Sequence, residues 1–513
     1  MIYKGNVAEL NKIRKIDWIL TLVPFVFIVT LTVFLFINPE SANAVLSKVR
    51  FFFGDTLGAF YLIMGLGVLA VSVFLVCSQY GDIVLGTPDE KPKYSFFTWG
   101  SMMFTCGLAA DILFYSFSEW IMYADNPYIV GLGDGWEGVL PLFHWSFIPW
   151  AFYLVLAVVF GFMLHVRKVK IQRYSEACRG IIGKQVDGLP GRIIDLFSVF
   201  ALLAGTATTF SVATPLMAEI IVRLFGISIS RTAITIIILL VTCGVYTYAA
   251  LHGFRGISFL AKFCIILFFG ILLYVLVLGG YAGFIIENGV QSFGRMLQHF
   301  IGLATYTDPE RINRFPQDWT IYYWAYWMVW CIAAPFFIGK ISQGKTIRQT
   351  VLGGYIFGVG STIISFVVLG NYSIALQKSG TVDLVKQYAA EGDAYRVIMS
   401  VANSVHGAGI LLVMMLVCMM FFYATSFDSI AYTAACYSYR KLGAEERPHA
   451  LIILFWCILL ILLPVSLTFS ESSMSNIQSV SIISAFPIGI IMILMIVSFF
   501  KDAREYMRNS RKR

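Results

Sequence analysis

Thr105-Cys106-Gly107-Leu108-Ala109-Ala110-Asp111 is a run of small residues that ends on a carboxylate, in the middle of an apolar segment covering 95–122. A second interruption, Cys331-Ile332-Ala333-Ala334-Pro335, falls inside the segment 319–339, where proline removes a backbone donor and kinks a helix. Working outward from these two, apolar stretches of the ~20 residues that span a bilayer fall at 17–37, 56–78, 95–122, 138–165, 191–220, 231–251, 256–284, 319–339, 349–374, 408–436, 448–469 and 475–500. The interrupted stretches are the third and eighth, the first members of two five-span blocks, 3–7 and 8–12. Five is odd, so the second block runs inverted relative to the first. Interrupted helices at matching places in inverted halves mark a central site between the repeats.

Composition demands the membrane independently. Of 513 residues, 58% are hydrophobic and 13% charged, with a mean hydropathy of +0.79. A soluble chain carries about 25% charged residues, so lipid is the solvent for most of this one. The net charge of +8 does not point to nucleic acid, because its distribution follows the positive-inside rule. Arg167, Lys168, Lys170, Arg173 and Arg179 follow the fourth span, and Lys340, Lys345 and Arg348 the eighth. The loop with Asp125, Asp134 and Glu137 follows the third and holds no Lys or Arg. Both termini are therefore expected in the cytoplasm and the chain in a bacterial inner membrane. The first apolar run lacks a small-residue cleavage site and reads as a spanning helix, not a removed signal.

The expected organisation is an all-α polytopic protein of about twelve helices. Residues 1–94 form a tail and two peripheral helices, 95–290 the first repeat, 291–318 an amphipathic outer helix and loop, 319–500 the second repeat, and 501–513 a basic cytoplasmic tail. The helix at 291–305 is short and amphipathic and belongs on the outer interface. The nine cysteines stand singly without a C-x-x-C pair, and no His/Cys/carboxylate group has metal spacing, so neither metal nor disulfide framework is expected.

Aromatics make up 16% of the chain. About four in five suit lipid-facing or interfacial positions, but two clusters are too dense for that. The fourth span reads Phe143-His144-Trp145-Ser146-Phe147-Ile148-Pro149-Trp150-Ala151-Phe152-Tyr153, with Trp150 and Tyr153 on one helical face. The eighth reads Trp319-Thr320-Ile321-Tyr322-Tyr323-Trp324-Ala325-Tyr326-Trp327, with Trp330 beyond. A quaternary ammonium has no N–H to donate, and a cage of ring faces is how a protein holds it, at about 0.5–2 kcal/mol per ring.

F-H-W-x-x-x-P-W-A-x-Y, W-T-x-x-Y-W-A-x-W and the following G-K-I-S-Q-G-K-T-I-R resemble signature segments of the betaine/choline/carnitine transporter family. So do D-P-x-x-x-x-x-F-P-x-x-W before the eighth span and A-T-S-F-D-S in the tenth. The resemblance runs through the whole chain. It implies a LeuT-like five-plus-five inverted-repeat core, a homotrimer, and a small cationic or zwitterionic quaternary ammonium substrate. The family's central aromatic box falls on Trp145, Trp150, Tyr153 and Trp327, with Tyr326 beside it where many members have Trp. Trp319 and Tyr323 match an outer aromatic cluster on the access path. Thr425 and Ser426, with backbone near Thr105 and Leu108, match a sodium site.

Two charges lie within spans. A carboxylate at mid-bilayer costs about 3 kcal/mol and is functional by default, which makes Asp111 a substrate-contact candidate. The family's choline-type members place Asp here, and betaine carriers a bare Gly-rich stretch. Helix capping or proton carriage are the alternatives. Lys262 in the seventh span stands either as a structural pair or in the place of a coupling cation, as basic residues do in sodium-independent relatives. The sodium-type ligands and Lys262 pull in opposite directions, leaving sodium or proton symport and exchange open, with a slight lean to sodium as the coupling ion and no other cofactor expected. Gly339-Lys340-Ile341-Ser342-Gln343-Gly344-Lys345-Thr346 matches a P-loop pattern, but it lacks the preceding strand and follows a spanning helix, so no nucleotide is expected. His144 reads as a packing donor, and Glu119 is followed by Trp120 where the family has Pro. No catalytic set is present at one depth, which argues against an enzyme. The short tail to Arg513 argues against osmotic gating.

Overall fold

The computed structural model describes residues 16–106, 109–169, 171, 173–252, 257–440, 442, 446–469 and 474–510. Among these, all regular structure is helical, with two isolated β-bridges, Ile16 to Tyr439 and Val84 to Thr346. In chain order the principal helices are α1 (Trp18–Ile37), α2 (Ala59–Cys77), α3 (Phe96–Cys106), α4 (Ile112–Met122), α5 (Val139–His144), α6 (Phe147–Gly161), α7 (Leu189–Phe225), α8 (Arg231–His252) and α9 (Ile257–Leu278). They continue as α10 (Ala282–Thr305), α11 (Ile321–Trp330), α12 (Ala334–Ile341), α13 (Ile347–Lys378), α14 (Ala394–Asn403), α15 (Ala408–Tyr437), α16 (Ala450–Phe469) and α17 (Met474–Ser510).

Among the described residues, seven helices are long and apolar enough to cross a bilayer, and nine if each of two bent pairs counts as one span. The chain is thus a polytopic all-α membrane protein. Its helices differ in what surrounds them. The most apolar stretch of Val139–Val166 is 89% buried and that of α7 78%, against 33% for α1 and 39% for α2. The fourth and fifth spans form the core, while α1 and α2 are peripheral and present Phe27, Ile37 and Ile63 outward.

Both sequence interruptions are real breaks. α3 stops at Cys106 and α4 begins at Ile112, with Asp111 at its N-cap but with no side-chain bond to the helix. Capping is therefore not what that carboxylate does. α11 and α12 meet at a 54° bend over Cys331–Ala333. Pro335 occupies the first turn of α12, where its missing N–H has no helical partner to lose, so the bend lies just before it.

The outer amphipathic helix differs from expectation. It starts at Ala282, not near 291, so the boundary drawn at 290 falls inside α10. The chain turns instead at Gly279-Gly280, where Gly280 has φ +80°, and α10 leaves α9 at 114°. Ile285, Gly289, Ser292, Met296 and Leu303 line its buried face, and the first two lie too early for the short apolar run to have shown them.

The loop 342–346 accounts for the P-loop-like residues structurally. It pairs with the segment before α3: Gly344 N–H to Leu85 O at 2.8 Å, Leu85 N–H to Lys345 O at 2.9 Å, and Ile347 N–H to Ile83 O at 3.0 Å. The Lys345 ammonium sits 4.5 Å over the Trp99 ring, and desolvation lowers its pKa from the ordinary lysine value. Thr346 opens α13 with a capping box closed by Gln349. Gly344 has φ +79°, and a Cβ there would lie 2.2 Å from Lys91 O. Gly344→Ala is therefore expected to cost about 1–2 kcal/mol in left-handed strain, with the clash on top. Gly226→Ala (φ +63°, nothing within 4 Å) carries the strain alone. Melting of the two purified variants in detergent checks this, with Gly344→Ala expected at the lower midpoint.

Candidate functional site

The fourth span is not one helix. α5 ends at His144 and α6 starts at Phe147, with Ser146 at φ −108°, ψ −122° between them. Helical spacing alone put only Trp150 and Tyr153 on a shared face, and this break re-aims Trp145 so that it joins them around α11. Trp327 is the hub, with ring centroids 4.7 Å from Tyr153, 5.6 Å from Trp150 and 5.7 Å from Trp145. All four are at most 5% exposed. The indole Nε1 atoms of Trp150 and Trp327 are buried without a hydrogen-bond partner among the described residues. Trp330, one helical turn on, packs instead on Gly205 of α7.

Two rings that the motifs did not mark complete the surround. Tyr115 of α4 lies 5.4 Å from Trp145, and Phe366 of α13 lies 5.2 Å from it. Tyr115 stands one helical turn after Asp111, a spacing visible in the sequence. Phe366 carried no such signal, because its contact spans more than two hundred residues.

The outer cluster joins this set. Trp319 stacks near-parallel to Tyr323 at 6.3 Å, and Tyr323 lies 4.8 Å from His144, 5.6 Å from Tyr115 and 6.0 Å from Trp145. Rings thus run without a gap from Trp319 to Trp327. The loop leading into them is tied by Asp308, whose carboxylate accepts backbone N–H groups from Ile312 at 3.0 Å, Asn313 at 3.0 Å and Arg314 at 2.6 Å. Desolvation raises the Asp308 pKa, but these three bonds outweigh it and hold the carboxyl below its ordinary range. They also hold Asp308, Arg311 and Arg314 at φ +44°, +57° and +56°, a region non-glycine residues seldom enter.

Asp111 is 2% exposed and accepts a hydrogen bond at Oδ2 from the Tyr326 hydroxyl, one residue before Trp327. The Tyr326 oxygen in turn lies 2.5 Å from Thr209 Oγ1 on α7. Tyr326, flagged because Trp is commoner there, is what links the carboxylate to the ring set. Thr209 was not legible, since nothing in α7 distinguishes it from Thr206 or Thr208.

Of the sodium-type residues, Thr105 and Ser426 fall among those whose side chains the structure describes. Thr105 returns its hydroxyl to Met102 O at 2.8 Å, and Ser426 is half-buried. Leu108 and the side chains of Thr425 and Lys262 lie outside the described residues. No group of three or more metal-type ligands occurs among the described residues.

Glu119 gains a defined place. Its carboxylate takes His144 Nδ1 at 2.8 Å and the Tyr123 hydroxyl at 3.2 Å on Oε1, and Trp145 Nε1 at 2.7 Å on Oε2. With Nδ1 donating to the carboxylate, the other ring nitrogen, His144 Nε2, is hydrogen-bonded to Thr320 Oγ1 at 3.1 Å. Glu119 and His144 are both fully buried, and the Glu119 carboxylate fixes the orientation of the Trp145 ring. The family model described as BCCT, betaine/carnitine/choline family transporter, matches residues 19–508.

Glu119→Gln keeps the shape but replaces one acceptor oxygen with a donor aimed at N–H or O–H groups. The mispaired donors should cost about 1–3 kcal/mol. The expected outcome is a lower melting midpoint in detergent and a weakened substrate-induced change in tryptophan fluorescence, with Glu119→Asp falling between wild type and Gln.

Proposed function

The chain belongs to the betaine/carnitine/choline transporter family, and on that premise we propose that it carries a quaternary ammonium compound by alternating access. The observation that carries this reading is Trp327, in contact with Trp145, Trp150 and Tyr153, with Asp111 tied to the adjacent Tyr326. The rings attract a methylated ammonium that has nothing to donate, at about 0.5–2 kcal/mol each. The buried carboxylate favours a substrate with net positive charge over one that brings its own carboxylate, which supports a choline-type cation over glycine betaine or carnitine.

In this reading the two breaks, before Asp111 and at Cys331–Ala333, form the centre of a twelve-span, five-plus-five inverted repeat. Spans 3–7 and 8–12 rock about the cage, Trp319 and Tyr323 line the approach, and both termini face the cytoplasm of a bacterial inner membrane. A homotrimer is part of the same reading. Thr105, Leu108, Thr425 and Ser426 are the proposed sodium ligands, and Lys262 is the residue that would replace the ion in an exchanger.

Uptake of labelled choline, glycine betaine and carnitine into proteoliposomes, with and without a sodium gradient, tests the whole. Choline uptake is expected to dominate. Asp111→Asn should abolish the preference for choline, and Trp327→Ala should weaken binding of every quaternary ammonium by roughly tenfold, within the range of one lost ring. Dominant glycine betaine uptake that is indifferent to Asp111→Asn would overturn the cation reading. Uptake that needs internal substrate and ignores sodium would assign exchange.

A further inference from the structure

A cage accounts for the ammonium end of a substrate and leaves its other end without a partner. Beside the cage, three buried side chains from three helical segments form one chain of hydroxyl contacts: Asp111 at the head of α4, Tyr326 on α11 and Thr209 on α7, respectively 2%, 4% and 4% exposed. Their proton count has a direction. A tyrosine hydroxyl has one hydrogen, and that of Tyr326 goes to Asp111 Oδ2. Thr209 must then donate to the Tyr326 oxygen across their 2.5 Å contact.

Resting on the functional reading above, we propose that Thr209 and Tyr326 determine the specificity of this site. They hold Asp111 as an acceptor, so that the site selects a quaternary ammonium ending in a hydroxyl over one ending in a carboxylate. A substrate carboxylate can only accept. It would face the Asp111 carboxylate beside a tyrosine whose single proton is already committed. A substrate hydroxyl donates to Asp111 or to the Tyr326 oxygen while accepting from an indole, and the Nε1 atoms of Trp150 and Trp327 are buried and unpartnered among the described residues. Tryptophan at 326 would bring an N–H but no oxygen, so Thr209 would have nothing to order. The departure from the family's usual residue at 326 is therefore the feature that makes Thr209 matter. Tyr326 and Thr209 are positioning residues here, acting through Asp111.

The experiment measures choline KM in proteoliposomes, together with inhibition by tetramethylammonium, a cation of the same head without a hydroxyl. Wild type, Tyr326→Phe, Thr209→Val and Thr209→Ser are compared. Tyr326→Phe and Thr209→Val should each raise choline KM roughly tenfold, equivalent to about 1.4 kcal/mol, and should leave tetramethylammonium inhibition unchanged. Thr209→Ser, which keeps the hydroxyl, should restore the wild-type KM. Equal loss of choline and tetramethylammonium affinity in both deletions would mean a disturbed cage and overturn the proposal, as would a choline KM that moves in neither. A wild type that carries glycine betaine and ignores choline would defeat the functional reading itself, before any variant is compared.

Discussion

A helix interrupted inside a bilayer leaves backbone donors and acceptors that lipid cannot satisfy, so a break survives there only if the rest of the protein covers it. The arrangement around this site follows from that requirement. The break between α11 and α12 exposes the Cys331 carbonyl, and the hydroxyl of Tyr174 donates to it from the segment after the fourth span, fully buried to do so. The break between α5 and α6 exposes the Trp145 carbonyl, and Thr362 of α13 donates to it at 2.6 Å. Both of these interruptions are therefore held by a hydroxyl from a distant part of the chain.

The same logic explains why charged groups are tolerated at this depth. Glu119 is surrounded by three donors and Asp111 by a tyrosine backed by a threonine. Buried polar groups of this kind stabilise a single arrangement when every member is satisfied. At Glu119 the arrangement fixed is that of Trp145, a wall of the cage. At Asp111 it is the relation between the first broken span and the long scaffold helix α7.

Much of the fold was legible because membrane spans obey a length rule with few exceptions. The helix ends of α1, α2, α7, α13 and α16 fall within a few residues of the apolar runs, and the breaks fall at Asp111 and just before Pro335, where the sequence placed them. The start of α10 was missed because its first turns are as apolar on the outside, at Ile286 and Val290, as on the inside, so no change of pattern marks where it begins. At the site, spacing along a continuous helix paired Trp150 with Tyr153 and could not include Trp145, which needs the turn at Ser146 to come round. Phe366 and Thr209 were beyond reach for a different reason. Their partners are over a hundred residues away, and neither residue type is unusual in an apolar helix. Trp99 shows the reverse case, an aromatic that anchors the 342–346 loop, with its Nε1 on Ser342 Oγ at 3.1 Å and its ring under the Lys345 ammonium.

The pairing of that loop with residues 83–93 has a mechanical consequence. Arg348, at the start of α13, donates to the Val76 carbonyl in the last turn of α2 at 2.8 Å and to the Ser78 carbonyl just beyond it at 3.3 Å. The peripheral α2 is thereby tethered to the joint between α12 and α13. A swing of α12 about its 54° elbow would drag the lipid-facing α2 with it, so the stiffness and viscosity of the lipid would load any such motion.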